Sequence, residues 1–335
     1  MDTEMGTYVN ETLGRYSDLL YVTSIGVYSL AAVLLFTALA MGAKAKAYVG
    51  DLADSDKQAR ELVGATAAPT RSAPSAGDRT PGKISGPPPA PRRNRAAVLS
   101  ASAYPVVILG LVAHVASIAL RGLATDRAPW GNMYEFISLT CAAGVAGALV
   151  ALRKPAQRPL MSFVLFVVII MMFVGGKWLY THAAPVVPAL KSYWLVIHVS
   201  VISIASGVMV VSGVLSMLFL VRERWPSTAD MLPSSETLDR VAYKCVVFAF
   251  PLFGLGVICG AIWAEEAWGR FWGWDPKETV SFISWIIYAA YLHARATAGW
   301  RTAAAWINVA GFVTVIFNLF VVNLVISGLH SYAGV

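Results

Sequence analysis

Apolar residues run along this chain in eight long segments separated by shorter polar stretches. A helix needs roughly 20 mostly apolar residues to cross a bilayer, and each segment approaches or exceeds that length. The pattern therefore predicts an all-α, polytopic membrane protein with about eight transmembrane helices. The predicted spans are residues 19–42, 98–121, 133–152, 159–176, 193–221, 243–264, 279–295 and 303–327.

The composition agrees with this fold class. Hydrophobic residues make up 57% of the 335 residues and charged residues only 13%, which excludes an ordinary soluble domain. The start of the chain carries Asp2, Glu4 and Glu11 instead of the basic region of a signal peptide, so the first span is expected to be retained. No nucleic-acid partner is expected, because no basic stripe is interleaved with aromatic residues.

Lys and Arg residues are shared unevenly between the two sets of loops. Loops 43–97, 153–158, 222–242 and 295–302 hold most of them, and the opposite set holds few. Cytoplasmic loops of membrane proteins carry such an excess of Lys and Arg. We therefore expect both termini and the loop 264–279 to lie outside a cell (plasma) membrane.

The chain is predicted to have three regions. Residues 1–42 form an outer N-terminal segment with the first span, and residues 98–335 form the main transmembrane domain. Residues 43–97 between them form a cytoplasmic linker. Its central part, 50–96, is rich in Pro, Ala, Gly, Ser and Arg and has few large apolar residues, so it is expected to be disordered.

The cysteines offer no redox or haem-attachment motif. Cys141, Cys245 and Cys259 lie in or near predicted spans, and none belongs to a Cys-x-x-Cys pair. The chain also lacks Cys-x-x-Cys-His, the attachment motif of c-type cytochromes. All three are expected to pack as small hydrophobic residues.

A tryptophan-rich run between the sixth and seventh spans is the strongest chemical signal. It reads Trp268-Gly269-Arg270-Phe271-Trp272-Gly273-Trp274-Asp275-Pro276-Lys277-Glu278. Flat aromatic faces beside small residues at a membrane surface indicate a platform for a large planar ligand. If the run is helical, Trp268, Trp272 and Asp275 share one face. Gly269 and Gly273 would then let a flat ring approach the backbone.

The same run has structural interpretations. Tryptophans collect at membrane interfaces whatever the function. This tendency explains Trp263 well, but it poorly explains three tryptophans, the last of them Trp274, spaced closely with two glycines. Asp275, Pro276 and Glu278 also form the pattern of a helix start, with an N-cap, a proline at the first helical position and a Glu three residues after the cap. Both a capping role and a ligand contact remain open for Asp275.

Histidine depth suggests what the platform holds. His198 lies five residues into the fifth span from its outer end, and His330 follows the outer end of the eighth span. Two imidazoles on opposite faces of haem give a six-coordinate iron. His198 and His330 are therefore the predicted axial pair, although a single His near an interface can also simply bond a carbonyl.

The other three histidines fit this site less well. His293 lies at the inner end of the seventh span, roughly 20 Å or more from the Trp run at the rise of a helix. It is either an interfacial residue or part of a second, inner site. His114 in the second span is a weak candidate for its partner, and His182 is expected to order an outer loop.

The two propionates of haem require cationic partners at the outer face. Arg270, inside the Trp run, is the first choice because of its position. The candidates are Arg121, Arg127, Lys177, Lys191, Arg270 and Lys277. Glu135 opens the third span at the same face, where a carboxylate complements a helix N-terminus.

The Trp run resembles the tryptophan-rich WWD motif of the haem-handling proteins of cytochrome c biogenesis. Within that group the chain is similar to the CcsA (ResC) family, which some actinobacterial genomes label CcsB. The likeness covers about residues 100–335 and is strongest over 238–295; residues 132–135 and 185–194 also match.

The resemblance implies specific site roles. His198 and His330 match the two external histidines that flank the motif and hold haem. His293 matches a histidine of an inner haem site on an export route, whose second ligand is His114 or a residue of another protein.

The resemblance also implies a function. The protein would bind haem b at the outer face, present it for thioether attachment to the Cys-x-x-Cys-His of apocytochrome c, and take part in haem export. It would act within a System II cytochrome c synthase (haem lyase) complex. No catalytic side chain is expected, because the reacting groups belong to haem and the thiols.

Implied partners are a CcsB/ResB-type membrane protein, apocytochrome c, a thioredoxin-like thiol reductant and the lipid bilayer. One alternative is a haem transporter or delivery protein that hands haem to a chaperone without attaching it. The other is a non-haem solute transporter or scaffold, whose Trp run is only an interfacial belt.

Overall fold

The structure is a computed structural model that describes residues 9–66, 95–326 and 328–330. This part of the chain folds into eight α-helices joined by short loops and 3-10 turns, and contains no strand. The helices are α1 (Glu11–Thr66), α2 (Arg95–Thr125), α3 (Met133–Ala151), α4 (Met161–Trp178), α5 (Tyr193–Arg224), α6 (Ser235–Trp268), α7 (Pro276–Ala296) and α8 (Arg301–Val325).

The predicted all-α polytopic membrane fold is confirmed. Seven of these helical segments are long and apolar enough to cross a membrane. The exception is α7, which carries several polar residues. Two of them bond directly to α8: Ser281 Oγ lies 2.8 Å from Asn318 Nδ2, and Ser284 Oγ lies 3.0 Å from Thr314 Oγ1. Such bonds satisfy polar side chains between neighbouring helices, so α7 needs α8 beside it.

The first helix is longer than predicted. It continues to Thr66, so residues 43–66 of the predicted linker are helical, including 50–66, which were expected to be disordered. This stretch is rich in Ala and contains three Lys, both of which favour helix, and the first proline of the linker comes only at Pro69. Residues 67–94 of the predicted linker lie outside the described residues.

The fifth helix is the central element of the main domain. It packs against α3, α6 and α8, while α1 packs against α2 and α4. Small residues let α5 approach its neighbours closely: a Cβ on Gly207 would lie 2.5 Å from the Thr140 carbonyl oxygen of α3. Close contact through glycine is common between membrane helices.

A buried ion-pair network joins the end of α2 to the start of α3. Glu135 accepts hydrogen bonds from Arg121 Nε at 2.7 Å and from Arg127 Nη1 at 2.9 Å. It also accepts the Gly131 N–H at 2.7 Å, whereas the N-cap of α3 is Asn132. Glu135 thus does more than complement a helix terminus, because it holds the loop that precedes α3.

Candidate functional site

A cavity of about 1160 Å³, including its open mouth, lies at the end of the helices where the Trp run is found. Its walls come from the start of α3, from α5, α6 and α8, and from the segment 271–281. Most of the lining is apolar. The titratable side chains that line it are His198, Lys277, Glu278 and His330. The structure therefore brings the two predicted axial histidines to one cavity.

His198 is held against α6 by two glycines one turn apart. Its Nδ1 lies 2.7 Å from the carbonyl oxygen of Gly256. A Cβ on Gly260 would lie only 2.6 Å from the Cε1 atom of the ring, so only glycine leaves room for the imidazole there. Because the carbonyl can only accept, Nδ1 carries the proton and Nε2 keeps its lone pair.

His330 has an analogous partner in Asp275. Its Nδ1 lies 2.7 Å from Asp275 Oδ2. Burial lowers the pKa of His330 below its usual value, although the hydrogen bond to Asp275 acts in the opposite direction. Burial alone would raise the pKa of Asp275, but the hydrogen bonds from His330 and from the Leu329 N–H bring it below its usual value. At neutral pH the pair is therefore a carboxylate and a neutral imidazole with a free Nε2 lone pair.

Asp275 is also the N-cap of α7, as one of its two sequence interpretations predicts. Its side chain accepts from the backbone N–H of Lys277, and the Glu278 side chain accepts from the Asp275 N–H, which completes a capping box. Its other oxygen accepts the Leu329 N–H at 2.7 Å. One carboxylate thus ties the start of α7 to the segment that carries His330.

Trp263 lies close to both histidines. It is 2% exposed, and its ring centroid lies 6.3 Å from that of His198, nearly parallel to it, and 5.9 Å from that of His330. Its sequence interpretation as an interfacial belt residue is therefore wrong. The spacing of Gly256, Gly260 and Trp263 puts them on one face of α6, and this periodicity was the available signal.

Residues 269–275 of the Trp run are not helical, so Trp268, Trp272 and Asp275 do not share one helix face as the sequence interpretation assumed. The sixth helix ends at Trp268, followed by Gly269 in the left-handed conformation with φ of 72°, and α7 begins only after Asp275. A left-handed glycine ends a helix because it carries no Cβ. The residues between them form a loop.

The loop separates the three tryptophans that were predicted to form one platform. Trp268 packs edge-on against His330 at 5.0 Å between ring centroids, and Trp272 lines the cavity. Trp274 is 66% exposed, does not line the cavity and packs edge-on against Trp272. Phe271, which the sequence did not single out, lines the cavity as well.

The glycines and arginine of the run lie outside the cavity lining. A Cβ on Gly269 would have no neighbour within 4 Å, whereas a Cβ on Gly273 would overlap the guanidinium of Arg270. Arg270 therefore folds over its own loop. The structure does not place Gly269, Gly273 or Arg270 where a ring in the cavity would meet them.

The remaining histidines also lie apart from the cavity. His114 is fully buried, with Nε2 at 3.0 Å from Ser138 Oγ and Nδ1 at 3.4 Å from Tyr28 Oη. Both ring nitrogens are engaged, so the structure favours a packing role over iron ligation. His293 is exposed on α7, near the end away from the Trp run, and His182 is exposed in a loop.

The sequence comparisons agree with the extent of this site. Residues 130–330, from the first to the last cavity-lining residue, match the family described as Cytochrome C assembly protein. The Cytochrome c biogenesis protein CcsA of Gloeobacter violaceus is 33% identical over 274 residues, which are 64% of this chain and 81% of that protein. The chain belongs to the CcsA family of cytochrome c biogenesis proteins.

Other relatives support the family and the fold. The CcsA protein of Prochlorococcus marinus is 35% identical over 265 residues, 68% of this chain and 82% of that protein. The solved structure of Cytochrome c Heme Lyase CcmF matches with a TM-score of 0.62 at 16% identity, over 99% of this chain and 49% of that one. The latter likeness shows a shared fold, in which this chain spans about half of the larger protein. Family membership gives this chain a role in cytochrome c maturation.

Proposed function

We propose that the chain binds haem b in the cavity, with Nε2 of His198 and Nε2 of His330 as axial ligands. The observation that carries this proposal is that the two imidazoles share one hydrogen-bonding arrangement, with Nδ1 bonded and Nε2 left open. Each Nδ1 is bonded to an acceptor, at 2.7 Å in both cases, and no described residue hydrogen-bonds either Nε2. An oriented imidazole with its second nitrogen committed is the usual form of a metal-ligating histidine.

Two imidazole nitrogens suit a metal whose other coordination positions are already filled by a macrocycle. No group of three or more His, Cys, Asp or Glu side chains within residues 9–66, 95–326 and 328–330 is arranged to hold a bare metal ion. Haem iron already has four porphyrin nitrogens and needs only axial ligands. The apolar walls and the buried indole of Trp263 would cover the faces of a flat ring.

Haem is the substrate of the proposed reaction. Each apocytochrome c thiol adds across a vinyl group, with sulfur bonding to one carbon and hydrogen to the other, without net oxidation. The described residues supply binding, orientation and exclusion of water. The structural relative CcmF is named a cytochrome c heme lyase, which favours attachment over mere delivery, and the burial of Trp263 disfavours a simple interfacial belt.

The cellular arrangement follows from charge. The excess of Lys and Arg in the opposite loops supports a cavity that faces the outside of the plasma membrane, where apocytochrome c and a thiol reductant would meet it. His293, exposed toward the other end of α7, is available to a second protein. An inner haem site shared with a CcsB/ResB-type partner, and used in haem export, would need such a position.

Absorption spectra of the purified protein test the proposal. Wild-type protein with haem should give a six-coordinate spectrum, and H198A and H330A should each lose it and regain it with added imidazole. The matched control is H182A, because His182 is exposed and does not line the cavity. An unchanged spectrum in H198A or H330A would refute the ligand assignment. Haem attachment to co-expressed apocytochrome c, with and without the membrane partner, separates synthesis from delivery.

A further inference from the structure

Lys277 carries a positive charge into the cavity. It lies in the first turn of α7, and its Nζ donates to Asn323 Oδ1 on α8 at 3.0 Å. The same atom lies 3.4 Å from Met133 Sδ and 5.3 Å from the ring centroid of Phe136, both on α3. The side chain thus links α7 to two other helices of the cavity wall, α3 and α8.

The direct contacts of this ammonium with the described residues are all neutral. An ammonium group has three donors, and here they meet one amide oxygen, one thioether sulfur and an aromatic face. Sulfur is a weak acceptor. None of the ion pairs found among the described residues includes Lys277. A charge held among apolar groups is costly unless an opposite charge accompanies it.

The nearby carboxylates are committed elsewhere. Asp275 bonds His330 and Leu329, and Glu278 Oε2 accepts the N–H groups of Gly273 and Asp275. Glu278 Oε1 is buried without a hydrogen-bond partner. Glu278 lines the cavity too, but no ion pair among the described residues joins its carboxylate to Lys277.

The other outer cations are excluded by position. Arg121 and Arg127 are paired with Glu135. Arg270 folds over Gly273. Lys177 and Lys191 are exposed. Among the described residues that line the cavity, Lys277 is the single Lys or Arg.

We infer that Lys277 binds a carboxylate of the ligand, which for haem is a propionate; this rests on the function proposed above. Two axial imidazoles define an axis but leave the ring free to rotate about it. A charged contact at one edge removes that freedom. It would fix the position of the edge that carries the vinyl groups, which the attachment reaction requires.

Haem and haem dimethyl ester, in which both propionates are esterified, test the inference. Wild-type protein should bind haem roughly tenfold or more tightly than the ester, as expected for a charge-assisted hydrogen bond. K277M should bind both with similar affinity while keeping a six-coordinate spectrum, and K277R should retain part of the preference. K191M is the matched control and should behave as wild type.

The outcomes separate this inference from the proposed function. Equal wild-type affinity for haem and its ester, or an undiminished preference of K277M for haem over the ester, would overturn the inference. Either result would leave the assignment of His198 and His330 as axial ligands unaffected. The wild-type comparison needs no variant to fold. Absence of a six-coordinate spectrum with either porphyrin would overturn the proposed function and this inference with it.

Discussion

Asp275 Oδ2 lies 2.7 Å from Nδ1 of His330, across 55 residues of sequence. The same carboxylate caps α7. The imidazole that faces the cavity is thereby positioned by the residue that starts the neighbouring helix. Haem binding and the docking of the segment after α8 should therefore depend on one side chain.

Two substitutions of Asp275 should separate its two roles. D275N keeps one oxygen that can cap α7 but removes the charge facing His330 and replaces the other acceptor with an NH₂ group, so haem affinity should fall about 10- to 100-fold with a smaller loss of stability than in D275A. D275A should lose that affinity and in addition about 1 kcal/mol of stability. Haem titration and thermal unfolding in detergent measure both effects. Wild-type haem affinity in D275N would show that Asp275 serves only as a cap.

Haem affinity should depend on pH through His330. Burial lowers the pKa of His330 below its usual value of 6.5, so its Nε2 stays available to iron from pH 8 down to about 6.5, and protons compete only below that range. The free energy of unfolding should also decrease as the pH falls below about 6.5, because there His330 takes up a proton in the unfolded chain but not in the folded chain.

Titration of D275N tests the origin of this pH dependence. The carboxylate raises the pKa of His330, so its removal should move the pH below which haem affinity begins to fall to a still lower value, whatever the affinity at pH 8. Haem titrations from pH 8 to pH 5 on both proteins provide the measurement. A midpoint that moves to higher pH in D275N would contradict the assignment.

Gly260→Ala should displace His198. The added Cβ would lie 2.6 Å from Cε1 and 2.7 Å from Nδ1 of the imidazole. The ring can move more easily than the helix backbone, so stability should change by about 1 kcal/mol while haem affinity falls about tenfold or more. The control is G26A, at a helical glycine with nothing within 4 Å of the new methyl. Equal haem affinity in G260A and G26A would mean that this contact does not position the ligand.

Glu135→Gln should destabilise the fold. It removes the negative charge closest to Arg121, which then keeps only the longer ion pair with Asp18 at 3.4 Å, at a cost of about 3 kcal/mol. The matched control is E236Q, whose exposed ion pair with Arg240 one helical turn away should contribute less than about 1 kcal/mol. Denaturant unfolding in detergent compares the two variants. Similar losses would show that burial of the Glu135 network has no special energetic effect.

The fold and part of the site could be predicted from local pattern. Apolar runs predict eight helices, and eight are found among the described residues, although α7 is less apolar than the rest. The N-cap pattern at Asp275 correctly predicts the start of α7. The prediction failed for Trp263, because an indole near a membrane surface has the same local sequence whether it faces lipid or the interior. It also failed for the Trp run, where Gly269 ends the helix.

The sequence by itself determined the number of helices, the capped start of α7, and the presence of one histidine in the fifth helix and another after the eighth, because hydrophobicity, length and capping are local properties. Only the tertiary structure decided which side chains meet. The pairing of His198 with Gly256, of His330 with Asp275, and of Lys277 with Asn323 depends on how each helix is rotated about its own axis and packed. Apolar membrane helices specify that rotation weakly, because lipid and protein surroundings are equally apolar, so close packing of small residues and polar bonds decides it.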